Sequence, residues 1–370
     1  MTRAVPGTIV GLIGILLLSL SADAVFNEPL NVAPDSGPWV ASRGFKFDKK
    51  EKKTRQAMSG IACPKSSSGQ QLCLTVFDEG GEARYIVIKG DAYAIDTERV
   101  ILFPGDVELD AEAAATDGIF YYVAGSHGAK RKDCANNPES RHVIRFRVDR
   151  STGRGLRSLA GDPNADLVDY ADTGRLWSIM ASLQGLNDYV GDNMCLGSQP
   201  PGTGPHSAGK RGVNIEGLAI KDGRLFFGFR GPSIDGTSKI LAVDADPLFN
   251  NGDMHSKLAT ITVGTGRGIR DLLVVSDGIL VLAGPDDDKS NEQVGWIVAR
   301  WNGQDTGDTV GQPTVLARLD LSGMKKSSCD DKISPEALAV IHDQPGEPYR
   351  VVIFSDGMCD GGPLGFTIPR

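Results

Sequence analysis

The chain has 370 residues, a formal charge of −8 and acids (47) interspersed with bases (39), a balance that gives no reason to expect a nucleic-acid partner. Its 46 glycines and its short apolar runs, punctuated by Asp-Gly and Gly-Pro pairs, exclude a helical bundle and point to a many-stranded all-β protein.

Residues 1–24 read as a secretory signal peptide. Arg3 precedes an apolar core from Ile9 to Leu20, and Ala22-Asp23-Ala24 is a small-x-small signature that places cleavage after Ala24. A retained anchor is the alternative, but the core falls short of the ~20 residues a spanning helix needs. The expectation is therefore export to the periplasm or the outside, with no stable membrane insertion after cleavage and a monomeric product. All six cysteines lie beyond this segment and lack metal-type C-x-x-C spacing. In an oxidising compartment they are expected as sequential disulfides, Cys63 with Cys73, Cys134 with Cys195 and Cys329 with Cys359, each contributing about 2–4 kcal/mol. Residues 25–58 form a lead segment containing Lys49-Lys50-Glu51-Lys52-Lys53, which reads as a solvated turn.

From residue 59 to 370 the chain reads as one β-propeller domain built from a recurring segment. The segment appears as SGIAC with LCLTVFDEG (59–63 and 72–80), DAEAAATDGIFYYVAGSHG (110–128), NIEGLAIKDGRLFFGFRGP (214–232), GIRDLLVVSDGILVLAGPD (268–286) and SPEALAVIHDQPGEPYRVVIFSDG (334–357). Each is a small-residue strand, a turn and an apolar strand. In three the turn is Asp-Gly (Asp117-Gly118, Asp222-Gly223, Asp277-Gly278), the strongest short hairpin signal. Further strand candidates follow the hairpins, as in the four-stranded blade of a propeller. The spacings are 51 from Ile61 to Glu112, 104 to Glu216, 54 to Arg270 and 66 to Glu336. The interval of 104 holds a helical insertion near residues 174–190, where Leu176, Ile179, Met180, Leu183 and Leu186 recur at helical spacing, or else a sixth blade; five blades are expected. Residues 196–212, rich in Gly, Pro and Ser, read as a surface loop.

These segments resemble the bacterial family known as domain of unknown function 3616, over roughly residues 58–360. The run NIEGLA with GFRGP is the most specific part, while EGLA alone is also similar to the more distant esterase-like phytase propellers. The resemblance implies a propeller and no activity. Within the repeat, the acid's position holds Gly60 in the first copy and Arg270 in the fourth.

The first strand of each blade lines the channel, so Glu112, Glu216, Arg270 with Asp271, and Glu336 are expected as a charged ring at one mouth. A second ring at the ends of the second strands, Asp78 with Glu79, Ser126 with His127, Arg230, Asp286 and Asp356, is expected to converge on it. Like charges so close raise one another's pKa, which leaves three accounts. The carboxylates could be structural, capping backbone groups or pairing with Arg270. Glu112, Glu216 and Glu336 could hold Ca²⁺ or another divalent cation. The ring could instead be a ligand or active site, with Arg230, Arg270, Asp271 and Glu336 gripping a small anionic ligand or a protein partner, and Glu112, Glu216 and His127 as catalytic candidates.

Asp286-Asp287-Asp288 with Asn291 and Glu292 lacks EF-hand spacing, and the acids from Asp244 to Asp253 read as an exposed turn. His206 with Ser207, and Ser126 beside His127, lack a nucleophile elbow; no hydrolase triad, nucleotide-cofactor loop or zinc signature is present. A binding or scaffold propeller is thus the first reading, and a metal-assisted hydrolase of phosphoesters or related anions the second.

Overall fold

The computed structural model describes residues 1–2, 29–65, 70–105, 107–196, 211–287, 289–304, 307 and 309–370. The expected signal peptide, His206 with Ser207, and Asp288 lie outside them, as does most of the expected 196–212 loop.

A short strand β1 (Leu30–Val32) and a one-turn helix α1 (Glu51–Arg55) lead into blade 1, made of β2 (Met58–Ala62), β3 (Gln71–Phe77), β4 (Glu82–Lys89) and β5 (Ala92–Ile101). Blade 2 is β6 (Ala111–Thr116), β7 (Phe120–Gly125), β8 (Val143–Arg147) and β9 (Ala171–Thr173). After helix α2 (Arg175–Ser182), blade 3 runs β10 (Asn214–Lys221), β11 (Arg224–Gly231), β12 (Thr237–Asp244), helix α3 (Ala245–Asn250) and β13 (Lys257–Thr262). Blade 4 is β14 (Arg267–Val275), β15 (Gly278–Pro285) and β16 (Ile297–Trp301); then β17 (Val310–Gly311) adds to the edge of blade 3 before β18 (Thr314–Leu319) completes blade 4. Blade 5 has three strands, β19 (Ser334–His342), β20 (Tyr349–Asp356) and β21 (Leu364–Ile368).

The innermost strands β2, β6, β10, β14 and β19 each touch the next, and β19 returns to β2, so five blades close a ring. The apolar residues sort accordingly into five clusters, each between two adjacent blades. Small residues make this possible on the inner strands. A methyl on Gly217 would come within 2.9 Å of Leu272 in the next blade, and one on Gly60 within 2.9 Å of the Ala113 backbone. The interval of 104 residues holds helix α2, whose Leu176 and Met180 enter the cluster between blades 2 and 3; it is an insertion and not a sixth blade.

The lead segment clasps the ring. β1 pairs in parallel with β18 at the edge of blade 4, and Ser36 then bridges to Gly365 of blade 5. Beyond it, Phe45 and Phe47 stack edge-on against Phe77 of blade 1, each with centroids 5.1 Å away. Asp360 of blade 5 receives the Phe45 N–H at 2.8 Å and Arg55 Nε at 2.9 Å. The three disulfides are Cys63–Cys73, Cys134–Cys195 and Cys329–Cys359, the sequential pairing. Among the described residues no helix is long and apolar enough to cross a membrane.

Candidate functional site at the channel mouth

Every inner strand carries a one-residue bulge at the same place. The register with the second strand slips between Met58 and Gly60, Ala111 and Ala113, Ile215 and Gly217, Ile269 and Asp271, and Pro335 and Ala337. A bulge leaves its residue unpaired and re-aims its side chain. The residues so released are Ser59, Glu112, Glu216, Arg270 and Glu336. In the first blade the equivalent of the acid is therefore Ser59, not Gly60, and the first spacing runs from Ser59. Gly60 occupies the following position, which packs against the neighbouring blade.

That following position also explains Asp271. Its carboxylate accepts the N–H of Leu272 at 2.7 Å and of Leu338 in blade 5 at 2.6 Å, tying two blades together. Burial pushes its carboxyl well above the usual range, and the two N–H groups only partly offset this. Asp271 thus stands beside the mouth ring as an interblade staple.

Across blades 3, 4 and 5 the charges form one alternating ladder. Glu216 Oε1 accepts Arg230 Nη1 at 2.7 Å, while its Oε2 lies 2.8 Å from Arg270 Nε. Arg270 Nη2 pairs in turn with Glu336, to which Ser334 donates at 3.3 Å. Arg230 Nη2 also lies 3.8 Å from Asp287, the partner of exposed Arg131. Burial alone would raise the Glu216 carboxyl, but Arg230 and Arg270 outweigh it and hold it below the usual range. Burial and the nearby Arg230 draw Arg270 down to about 10, still charged at neutral pH.

Blades 1 and 2 are different. Glu112 has no hydrogen-bond or ion-pair partner among the described residues. Its carboxyl is pushed well above the usual range by burial, then by Glu216, Asp110 and Asp78, with Arg230 opposing. Asp110 accepts the Ser126 hydroxyl and is raised to about 6, burial again leading. Asp78 is raised by burial, then by Asp356 and Asp110, and its Oδ1 is buried without a partner. Neighbouring Glu79 is taken up by Lys50 at 3.3 Å and by Lys53, and Asp356 by Lys332 at 2.5 Å.

At the level of the expected second ring the register places Asp78, Ser126, Arg230, Gly284 and Asp356. Asp286 falls two residues past this level, where Asn291 donates to it at 3.1 Å. His127 does not converge on Glu112. Its backbone takes φ 56°, and the fully buried ring directs Nδ1 to the Gly125 carbonyl at 2.9 Å. Burial drops its pKa to about 4, and the charged groups acting on it are His142 and Arg141, not Glu112; its Nε2 is buried without a partner among the described residues. Glu216 and Glu336 face guanidinium groups, and among the described residues no three His, Cys, Asp or Glu side chains are grouped to hold a metal ion.

Residues 205–359 match the family model described as a protein of unknown function (DUF3616). This DUF3616 segment contains the whole ladder of Glu216, Arg230, Arg270 and Glu336, whereas Ser59, Asp78, Asp110 and Glu112 lie before it. No curated protein matches the chain. Similar solved structures include a protein from Lactobacillus plantarum, 15% identical with TM-score 0.33, covering 85% of this chain and 70% of that one. An α-L-arabinanase mutant from Cellvibrio cellulosa is 12% identical with TM-score 0.40, covering 84% and 90%. A family 117 glycoside hydrolase produced by the marine bacterium Zobellia galactanivorans is 10% identical with TM-score 0.40, covering 92% and 91%. Scores this low carry no reading of activity, and none of these similarities carries the likeness to phytase propellers.

Proposed function

We propose that this chain is an exported binding propeller whose ligand site is the mouth formed by Ser59, Glu112, Glu216, Arg270 and Glu336. The observation that carries this is the bulge repeated in all five inner strands, which frees one side chain per blade towards the mouth while Glu112 is left without a partner. Packing alone gives no reason to keep a partly buried, unpaired carboxylate among other acids, since neighbouring like charges disfavour its charged form. Export is supported by the N-terminal segment and by three disulfides, which persist in oxidising compartments. Binding is preferred to metal-assisted hydrolysis because the ladder acids face arginines and His127 is turned away from them.

The test is a thermal-shift screen with organic cations, sugars, phosphates and short peptides, run on the wild type and on Glu112→Arg, which carries its own guanidinium into the mouth. At least one class should raise the melting temperature of the wild type and not of the variant. Circular dichroism checks that the variant folds, and Glu112→Gln replaces it where it does not. The reading fails if no class moves the wild type, or if every hit persists in the folded variant.

A further inference from the structure

Acids grouped at a rim are ordinarily just solvated, and acids alone would identify no ligand. The acidic side of the mouth contains something more specific, buried hydrogen-bond acceptors without donors among the described residues. Asp78 Oδ1 is buried and unpartnered, and Glu112 has no partner among the described residues. Asn214 supplies the independent observation. It begins β10 at the level that Asp110 occupies two residues before the bulge of blade 2, is 7% exposed, and has a buried Oδ1 with no partner among the described residues. Its amide lies over Gly128, where an added methyl would sit 3.4 Å from Nδ2. The Gly128 N–H donates at 3.0 Å to Ser126 Oγ, which in turn donates to Asp110. Asn214 is thereby linked to the acidic side of the mouth, and an unsatisfied buried acceptor there is costly unless a donor arrives.

Deepening the reading of the mouth as a ligand site, on which this rests, we infer that its acidic side, formed by Asp78, Asp110, Glu112 and Asn214, binds an ammonium or guanidinium group. Such a cation presents three to five N–H donors spread over several ångströms. That suits acceptors distributed around a rim, whereas a metal ion needs its oxygens converging at about 2.3–2.6 Å on one point, an arrangement the described residues do not provide. The lysines already present stay at the margin: Lys50 and Lys53 hold Glu79 and Lys332 holds Asp356, all more than half exposed. An anion would have to displace Glu216 and Glu336 from the guanidinium groups of Arg230 and Arg270.

The experiment is isothermal titration of the full mature chain with 1,4-diaminobutane, with blocked Gly-Lys-Gly and Gly-Arg-Gly peptides, and with inorganic phosphate as the opposing probe. At least one cationic probe should bind, and Glu112→Gln and Asp78→Asn should each weaken it about tenfold, as loss of a charge-assisted hydrogen bond does. Both are near-isosteric, and denaturation curves confirm that they fold. Binding of the diamine assigns a small-molecule source; binding of the peptides alone assigns a side chain of a protein partner. If no cationic probe binds, this inference falls, and the binding reading still stands where phosphate binds at the mouth or any class in the thermal-shift screen raises the melting temperature of the wild type and not of the variant. If the titration and that screen are both blank, both fall. Cationic binding indifferent to both substitutions also overturns the inference.

Discussion

Arg270 and Glu216 occupy the same bulged position in adjacent blades, and Arg270 Nε stands 2.8 Å from Glu216 Oε2. One base among five repeats of the position thereby neutralises two of its three acids, since Arg270 also pairs with Glu336. Both Arg270 and Glu216 are almost fully buried. Removing one member of a buried pair leaves an uncompensated charge and costs about 3–5 kcal/mol. Arg270→Met should therefore lower the unfolding free energy by about that much in urea denaturation, and adding Glu336→Gln should recover part of the loss. A cost below about 1 kcal/mol, typical of an exposed pair, would show that the ladder does not hold blades 3, 4 and 5 together.

The pH dependence of stability should divide between two groups of opposite sign. Asp110 is raised from 3.8 to about 6 by burial, so the folded state holds its proton more tightly. The stability it contributes is complete at low pH and is lost as pH rises through about 6; Asp78 and Glu112, also raised, act in the same direction. His127 is lowered from 6.5 to about 4, so the fold keeps it neutral, and its contribution is present above 6.5 and lost as pH falls towards 4. Between pH 4 and 6 the two oppose each other. In Asp110→Asn, stability should fall more steeply than in the wild type as pH drops from 6.5 to 4, and in His127→Gln it should fall less or rise. Each proton changes the slope by up to about 1.4 kcal/mol per pH unit. Parallel profiles for all three proteins would refute the assignment.

The propeller was legible because its repeat is local. Asp222 and Gly223 both adopt positive φ, 51° and 75°, as their turn chemistry requires, and the small residues of each first strand announce close packing. The helical spacing of Leu176 and Met180 separated an insertion from a blade. The bulges were not legible, since a one-residue slip is a property of strand pairing and has no composition of its own. A repeat aligned by residue type therefore sets Gly60 level with the acids and passes over Ser59. The same slip moves Asp271: one residue past the bulge, a side chain turns from the channel to the next blade. His127 follows Ser126 in sequence, but its positive φ carries it off the rim. Ring closure by residues 30–39 left no signal, because a parallel pair of three residues at a sheet edge has no hydrophobic alternation to read.

The ladder also depends on how closely blade 4 approaches blade 3. Gly268 lies two residues before Arg270, and a methyl added there would overlap the carbonyl oxygen of Arg230 and stand 2.7 Å from its Cα. Backbone cannot swing aside as a long side chain can, so Gly268→Ala must push β14 from β11 and lengthen the reach of Arg270 to Glu216 across the blade boundary, while the Arg230–Glu216 pair lies within blade 3. Overpacking of this kind costs about 1–3 kcal/mol, and loss of ladder geometry adds to it. Gly223→Ala is the control. It meets no atom within 4 Å, but its φ of 75° is strained for alanine, a cost of about 1–3 kcal/mol confined to the β10–β11 turn. Both variants should be less stable in urea. Only Gly268→Ala should also reduce the cost of a subsequent Arg270→Met substitution, because the pair it removes is already weakened. Equal Arg270→Met costs in the wild type, Gly268→Ala and Gly223→Ala backgrounds would mean that blade spacing and the mouth ladder are independent.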